Sequence, residues 1–533
     1  MKKIQFKSIC FLGLAIVFSS CTKDLDQLPL DPHIYTGEAF YAQPGAYKQA
    51  LAGVYGNLAL TGTSGAGDSF LVGIDAGTSQ YGRCLWYLQD LTTDEVLWSY
   101  ENDPGTKELQ RNIWTASNPV ILGMYSRTMA EVAIANDYLK QTSDDKLSSR
   151  GVTDPTLLGE IALYRKEARV LRAMAYYNMM DLFGKAAFVT ENDAVGTSGP
   201  EYNRTQLFNF IESELNDVLP GLKPAHSNEY GRVDQAVAHM ILAKIYLNAQ
   251  VYTGNDRYAD CVTHCNAIIN AGYTLNANYL NNFKADNNTS SEMIFTLQSD
   301  GVYTQNYGPT TVMINGEVGS LESNGVSLGI GAGGWGGALR LRKQFVQKFD
   351  GSDFATDSRK TIISGTRSID INDVADRDQG YILAKYSNRS STGVAGVNST
   401  FVDTDFPLFR LADVYLMYAE CAARGASGAS TAQAVTYVNA LRERANNGSQ
   451  VANVSASNLT LDFILDERAR ELHWEGHRRQ DLIRFGKYTG GAYNWAWKGN
   501  GSNGIAISNN LKVFPIPTSS LAANQNLTQN PGY

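Results

Sequence analysis

A chain of 533 residues with 43% hydrophobic and 18% charged residues can bury a large core, which excludes wholesale disorder and any need for disulfides or metal to fold. Its 53 acidic and 45 basic residues leave a net charge of −8, which argues against nucleic acid or anionic lipid as a partner. The 49 glycines and 14 prolines are near average, so collagen-like and low-complexity classes are excluded as well.

The chain opens with Met1-Lys2-Lys3 and an apolar stretch from Ile9 to Phe18. That stretch is too short to span a bilayer, so residues 1–20 read as a secretory signal. Cys21 follows Ser19-Ser20 and resembles the acylated cysteine of a bacterial lipobox, although Phe18 and Ser20 stand where Leu and Gly or Ala are usual. A lipid on Cys21 would anchor the chain to a membrane without spanning it. Lys23-Asp24-Leu25-Asp26 resembles the acidic export signal of surface lipoproteins. Residues 21–40, with Pro29 and Pro32, read as a tether. Residues 41–533 read as a single domain, with no apolar run of transmembrane length. Cleavage after Ser20 removes three lysines and no acid, so the mature chain is more acidic still. Cys84, Cys261, Cys265 and Cys421 are too sparse for a disulfide framework and read as buried small apolar residues.

Helical periodicity recurs along the remainder. Ala168, Leu171, Ala175, Met179 and Leu182 make one stripe, with Gly184 as its cap. Leu207, Ile211, Leu215 and Val218 make another, stopped by Pro220. Val237, Ile241 and Ile245 follow, then Tyr258, Val262, Cys265 and Ile269, ended by Gly272. Val414, Met417 and Cys421 precede Gly425, and Val435, Val438 and Leu441 follow the N-cap residue Ser430. Leu465, Ala469 and Leu472 open the last long helix. The pairing of helices with short connections predicts a mainly α protein of degenerate tetratricopeptide-like repeats. Two long irregular stretches, about 56–113 and 273–406, interrupt it. They are rich in Gly, Ser, Asn, Asp and aromatics, and loops of such length are usually functional.

Several motifs fail on context. Gly329-Ile330-Gly331-Ala332-Gly333-Gly334 matches a dinucleotide fingerprint, but no strand precedes it, so its glycines are expected to fold a tight loop presenting Trp335. His473-Trp474-Glu475-Gly476-His477 sets two histidines four apart without the His-Glu pair of a zincin, and Arg478-Arg479 beside them opposes a dication. Asp466, Glu467, Arg468, Arg470, Glu471, Arg478, Arg479 and Asp481 read as an ion-pair network on a helix surface. No carboxylate pair stands out as acid and nucleophile, and no nucleophile elbow is present, so no catalytic residue is assigned. Asp370, Asp373 and Asp376 offer oxygen ligands for a calcium ion, but their spacing does not establish a site; no cofactor is expected.

The aromatic strings are more informative. Tyr81, Trp86, Tyr87, Trp98 and Tyr100 are interleaved with Arg83, Asp94, Glu95 and Asn102, and Tyr303, Tyr307 and Trp335 lie among glycines. Flat aromatic faces stack on the C–H faces of pyranose rings while polar neighbours bond the hydroxyls. The same aromatics could equally pack beneath their loops.

Four segments carry a family resemblance. They are Glu167–Tyr177 continuing to Leu182-Phe183-Gly184, Phe406–Glu420, Ile464–Leu472 with Glu475–Gly486, and Phe514–Pro517 with Asn524–Tyr533. In order across the mature chain, they resemble the SusD/RagB family of Bacteroidetes surface lipoproteins. The resemblance implies a non-enzymatic, lipid-anchored glycan-binding protein of the outer membrane, with helical repeats beneath an irregular binding half. Its implied partner is a SusC-like TonB-dependent transporter, for which it acts as a lid. Within the family, the loops resemble those of the starch-binding founder, whose arc of three aromatics would correspond to Tyr100, Tyr307 and Trp335, with Tyr100 replacing a tryptophan. Trp98 is the alternative to Tyr100, and Asp75, Arg83 and Asn102 match the polar partners. The resemblance thus implies starch-type α-glucans; another glycan (fructan, dextran or xylan) or peptides are the alternatives under the same lid-type mechanism.

Overall fold

The computed structural model describes residues 37–533; the signal segment, Cys21 and most of the tether lie outside them. Among the described residues no helix is long and apolar enough to cross a membrane.

The helices form where the stripes predict them. Pro155–Phe183 is capped at its start by the Asp154 carboxylate, and it ends at Gly184, whose left-handed φ of 71° suits glycine. Arg204–Val218 begins with a reciprocal cap between Asn203 and Gln206 and gives way to a tight turn through Pro220. Gln235–Leu247, Tyr258–Ile269, Leu411–Ala423 and Thr431–Ala445 follow, the last capped by the Ser430 hydroxyl, which accepts from the N–H of Gln433 at 3.1 Å. Pro119–Gln141, started by Asn118 and a proline at its first position, is a long helix that the stripes above did not single out. Pro119–Gln141 packs on Pro155–Phe183, which packs on Arg204–Val218; Gln235–Leu247 packs on Tyr258–Ile269, then Leu411–Ala423 and Thr431–Ala445 in turn. This neighbour-on-neighbour stacking is a helical-repeat scaffold. Cys84, Cys261, Cys265 and Cys421 are buried and form no disulfide.

The irregular stretches contain short antiparallel strand pairs. Val96–Trp98 pairs with Leu339–Leu341, with Trp98 opposite Leu339. Met293–Leu297 pairs with Phe406–Arg410 and Ile362–Ile363 with Ile382–Leu383. The first of these pairs brings the first insert onto the second.

Two expectations are corrected. The helix Leu461–Leu472 stops at Leu472. Trp474 and Gly476 turn left-handed, with φ of 61° and 80°, and their N–H groups are taken by the carboxylates of Glu95 at 3.0 Å and Asp90 at 2.8 Å. His473 and His477 therefore flank a break rather than share a helical face. Both are buried; burial and the nearby Lys244 ammonium bring His477 down from 6.5 to about 3.

The charged cluster is the second correction. Only Asp466 is substantially exposed; Glu467, Arg468, Arg470, Glu471, Arg478, Arg479 and Asp481 are buried. Arginines from distant segments enter it. Arg359 and Arg442 bond Glu467, Arg410 and Arg444 bond Glu471, and Arg478 grips Asp94 through two bonds of 2.7 and 2.8 Å. Burial alone would raise Glu471, but Arg444, Arg410 and Arg359 outweigh it and bring its pKa from 4.5 to about 2. Burial is likewise outweighed at Asp481, where Arg468 and Arg484 bring 3.8 to about 2. The unfolded chain therefore binds more protons than the folded one between those values. The stability these groups contribute is present in full above the unfolded values and disappears as pH falls through the folded ones. Denaturant midpoints measured at stepped pH should accordingly fall steeply between about pH 4.5 and 2. A flat profile over that window would contradict the ion network.

Candidate functional site

The strand pair Val96–Trp98 with Leu339–Leu341 sets up the site. Beyond it, the Ser99 N–H donates to the Ala338 carbonyl at 2.7 Å and the Ser99 hydroxyl to the Gly337 carbonyl at 2.9 Å. This carries Tyr100 against Trp335, 235 positions away, and the Tyr100 hydroxyl donates to the Trp335 carbonyl at 2.5 Å. The loop bearing Trp335 needs its glycines. Gly334 has φ of 43°, and a Cβ there would lie 2.5 Å from Val318 Cγ2 and 2.8 Å from the Asn315 carbonyl oxygen, the oxygen that accepts the Trp335 N–H at 2.8 Å. Tyr307 closes the other side from the turn before the Pro309–Gly316 helix. Its ring meets Phe401 edge-on at 5.2 Å.

Tyr100, Tyr307 and Trp335 are half-buried and, with Gly77, Arg83, Trp98 and Asp103, line an open cavity of about 380 Å³. Trp98 is its floor: 2% exposed, it meets both Tyr100 and Trp335 edge-on at 6.1 Å. Its indole N–H donates to Asp103 Oδ2 at 2.8 Å, which fixes the ring. Tyr81, Trp86 and Tyr87 are buried core, whereas Tyr303 is 87% exposed outside the cavity lining.

Arg83 sits on the short helix Tyr81–Trp86, whose start is capped by Gln80. Its Nε and Nη2 donate to the Tyr87 hydroxyl at 3.1 and 2.9 Å, and Nη1 donates to the Gly77 carbonyl at 2.8 Å. The guanidinium is thus held rigid, with one N–H on each terminal nitrogen left without an acceptor among the described residues. Asp75 is exposed at the mouth beside Gly77. A Cβ on Gly77 would lie 3.5 Å from Asp75 Oδ1 and 3.8 Å from the Tyr307 ring. The Thr78 backbone N–H, donating at 2.7 Å, is the main influence holding the Asp75 carboxyl below its ordinary pKa.

The structure therefore brings Arg83, Trp98, Tyr100, Tyr307 and Trp335 together and sets Asp75 at their edge. Asn102 is exposed and outside the lining; the neighbouring Asp103 faces the cavity instead. The string Glu101-Asn102-Asp103 held that residue, but a one-residue choice in an irregular turn leaves no periodic signal. Arg377 carries no signal either. Its Nη1 donates to the Tyr100 hydroxyl at 3.1 Å and the Gly336 carbonyl at 3.0 Å, 277 positions from Tyr100.

The acids of the sequence reading are elsewhere. Asp94 and Glu95 are buried in bonds to Arg478 and the Trp474 N–H. Asp370 pairs with Lys343, while Asp373 and Asp376 each accept a backbone N–H. Among the described residues no three His, Cys, Asp or Glu side chains are set to hold a metal ion. A rigid guanidinium and three stacking faces around an open trough suit a ring-bearing, hydroxyl-rich ligand.

The model of the SusD family matches residues 241–533, and the chain is 32% identical to the starch-binding protein SusD of Bacteroides thetaiotaomicron, over all of both chains. The chain belongs to the SusD family. Members of the SusD family are glycan-binding proteins and not enzymes. A SusD-like protein of Bacteroides ovatus is 23% identical, with 94% of this chain and 87% of that one covered. Among solved structures, surface glycan-binding protein A from Bacteroides thetaiotaomicron in complex with laminarihexaose superposes with a TM-score of 0.67, at 21% identity, covering 91% of this chain and 99% of that one. A SusD homologue of the same organism gives a TM-score of 0.71 at 19% identity, covering 93% and 98%. These likenesses establish the SusD fold, mainly helical as its repeats predict.

Proposed function

We propose that this protein captures starch-type α-glucans at the outer-membrane surface and delivers them to a partner SusC-like TonB-dependent transporter. In this reading, residues 41–533 act as one domain on a tether, held to the membrane by a lipid on Cys21. The observation that carries it is the convergence of Tyr100, Tyr307 and Trp335 on one open cavity over Trp98, in a chain with full-length similarity to a starch-binding protein.

An α-1,4-glucan is itself a helical chain, so a curved row of aromatic faces meets it with little further ordering, and less entropy is lost than for a straight, flexible chain. Its ring faces supply the apolar contact. Arg83, with its unused N–H groups, and the Asp75 carboxylate would bond hydroxyls along one edge.

Calorimetric titration of the mature chain, from Thr22 onward, with maltoheptaose, inulin and a mixed peptide pool tests the ligand class. Saturable heat with maltoheptaose alone is the expected result. Saturation by inulin or peptides, with none by maltoheptaose, would keep the family and reject α-glucan as its ligand here.

A further inference from the structure

Three segments meet at one hydroxyl group. The Tyr100 hydroxyl donates to the Trp335 carbonyl at 2.5 Å and accepts from Arg377 Nη1 at 3.1 Å. The same nitrogen donates to the Gly336 carbonyl at 3.0 Å, and the guanidinium lies 5.9 Å from the Tyr100 ring centroid. Tyr100 comes from the first insert, Trp335 and Gly336 from the glycine loop, and Arg377 from the acidic stretch near the end of the second insert. Each partner has a separate backbone anchor. Ser99 bonds the Gly337 carbonyl, the Gly337 N–H donates to Val318 at 2.5 Å, and Arg367 donates to the Arg377 carbonyl at 2.6 Å. Gly336 and Gly337 have φ of 54° and 82°, a course suited to glycine.

We infer that Tyr100 and Arg377 form a clasp that fixes two of the three stacking faces relative to one another and thereby selects ligand curvature. This rests on the glycan-binding reading above. Both act as positioning residues: the Tyr100 ring supplies a face, but its hydroxyl and Arg377 set the angle of that face against Trp335. The two roles separate chemically, because phenylalanine keeps the ring and loses the hydroxyl. A preset arc favours a ligand whose curvature is already fixed. Once the arc loosens, a flexible chain can readjust to it and a closed ring cannot.

The test compares the wild-type protein with Tyr100→Phe, Arg377→Met, the double variant and Arg377→Lys. Each is titrated with maltoheptaose and with the cyclic α-1,4-glucan of seven glucose units, which offers the same rings at locked curvature. Tyr100→Phe and Arg377→Met each remove two hydrogen bonds of the clasp and, because these act on the ligand only through the angle of the Tyr100 face, should each weaken the cyclic ligand about 3- to 10-fold, and the linear ligand less. The double variant should be no weaker than the worse single one, since both cut one clasp. Arg377→Lys should recover part of the loss, and thermal midpoints should stay near wild type. Equal losses for the two ligands, additive losses, or wild-type affinity in Tyr100→Phe would overturn the clasp while leaving the function standing. A wild type that binds neither glucan would overturn both.

Discussion

Arg410→Met should lower the free energy of unfolding by about 3–5 kcal/mol, the cost of removing one partner from a buried ionic cluster. Arg410 closes the Phe406–Arg410 strand and is 1% exposed. It spends all five N–H donors inside the protein. Nε donates to Glu475 at 2.5 Å, Nη1 to Glu292 and Glu471 at 2.7 Å each, and Nη2 to the Glu471 carbonyl at 2.7 Å and Glu475 at 2.8 Å. Methionine roughly fills the space but leaves three buried carboxylates with less compensation. Lys385 still bonds Glu475, and Arg444 still bonds Glu292 and Glu471, so the loss reports Arg410 and not collapse of the whole cluster. The deficit should shrink towards acid pH, where a stranded carboxylate can take up a proton. Urea unfolding followed by tryptophan fluorescence at neutral and mildly acid pH measures both effects. A loss below about 1 kcal/mol, the range of an exposed pair, would mean that water reaches the cluster.

The same cluster marks the boundary of what local sequence can reveal. Charges spaced three and four apart from Asp466 to Asp481 look like a solvated helix face, because that is the ordinary reason for such spacing. Their burial depends on Arg359, Arg410, Arg442 and Arg444, which arrive from other segments. The end of the helix at Leu472 was hidden for a similar reason: the acids that take the Trp474 and Gly476 N–H groups are Glu95 and Asp90, nearly 400 positions away. By contrast, Gly184 and Ser430 were legible as helix ends, since capping needs only the residues adjoining the helix. The site divides likewise. Its aromatics declare themselves by type and by glycine-rich surroundings. The strands that assemble them, Val96–Trp98 and Leu339–Leu341, are three residues each, too short for an alternating pattern. Asp103 owes its place to a local turn in which one residue of three faces the cavity, and Arg377 to a contact 277 positions away; neither leaves a pattern in the adjoining sequence.

Trp335→Ala should weaken maltoheptaose binding by about 1–3 kcal/mol, or roughly 5- to 150-fold, by analogy with the loss of one aromatic that stacks on a nucleic-acid base. The indole stands half-buried over the edge of Trp98 at 6.1 Å, and its backbone N–H is pinned to Asn315. Alanine therefore removes one face of three without releasing the loop that carries it. Because the side chain is packed on one side only, the stability cost should stay near 1 kcal/mol, so a folded variant that binds weakly is the expected outcome. Tyr303→Ala is the matched control: an aromatic at 87% exposure, four residues before Tyr307 but outside the cavity lining, it should leave affinity unchanged. Weakening by Trp335→Ala with an unaltered Tyr303→Ala would tie glucan capture to this cavity. The reverse pattern would move the ligand out of the trough and onto the exposed loop tip held by Asp300, whose carboxylate accepts the N–H groups of Val302 and Tyr303 at 2.7 and 2.6 Å.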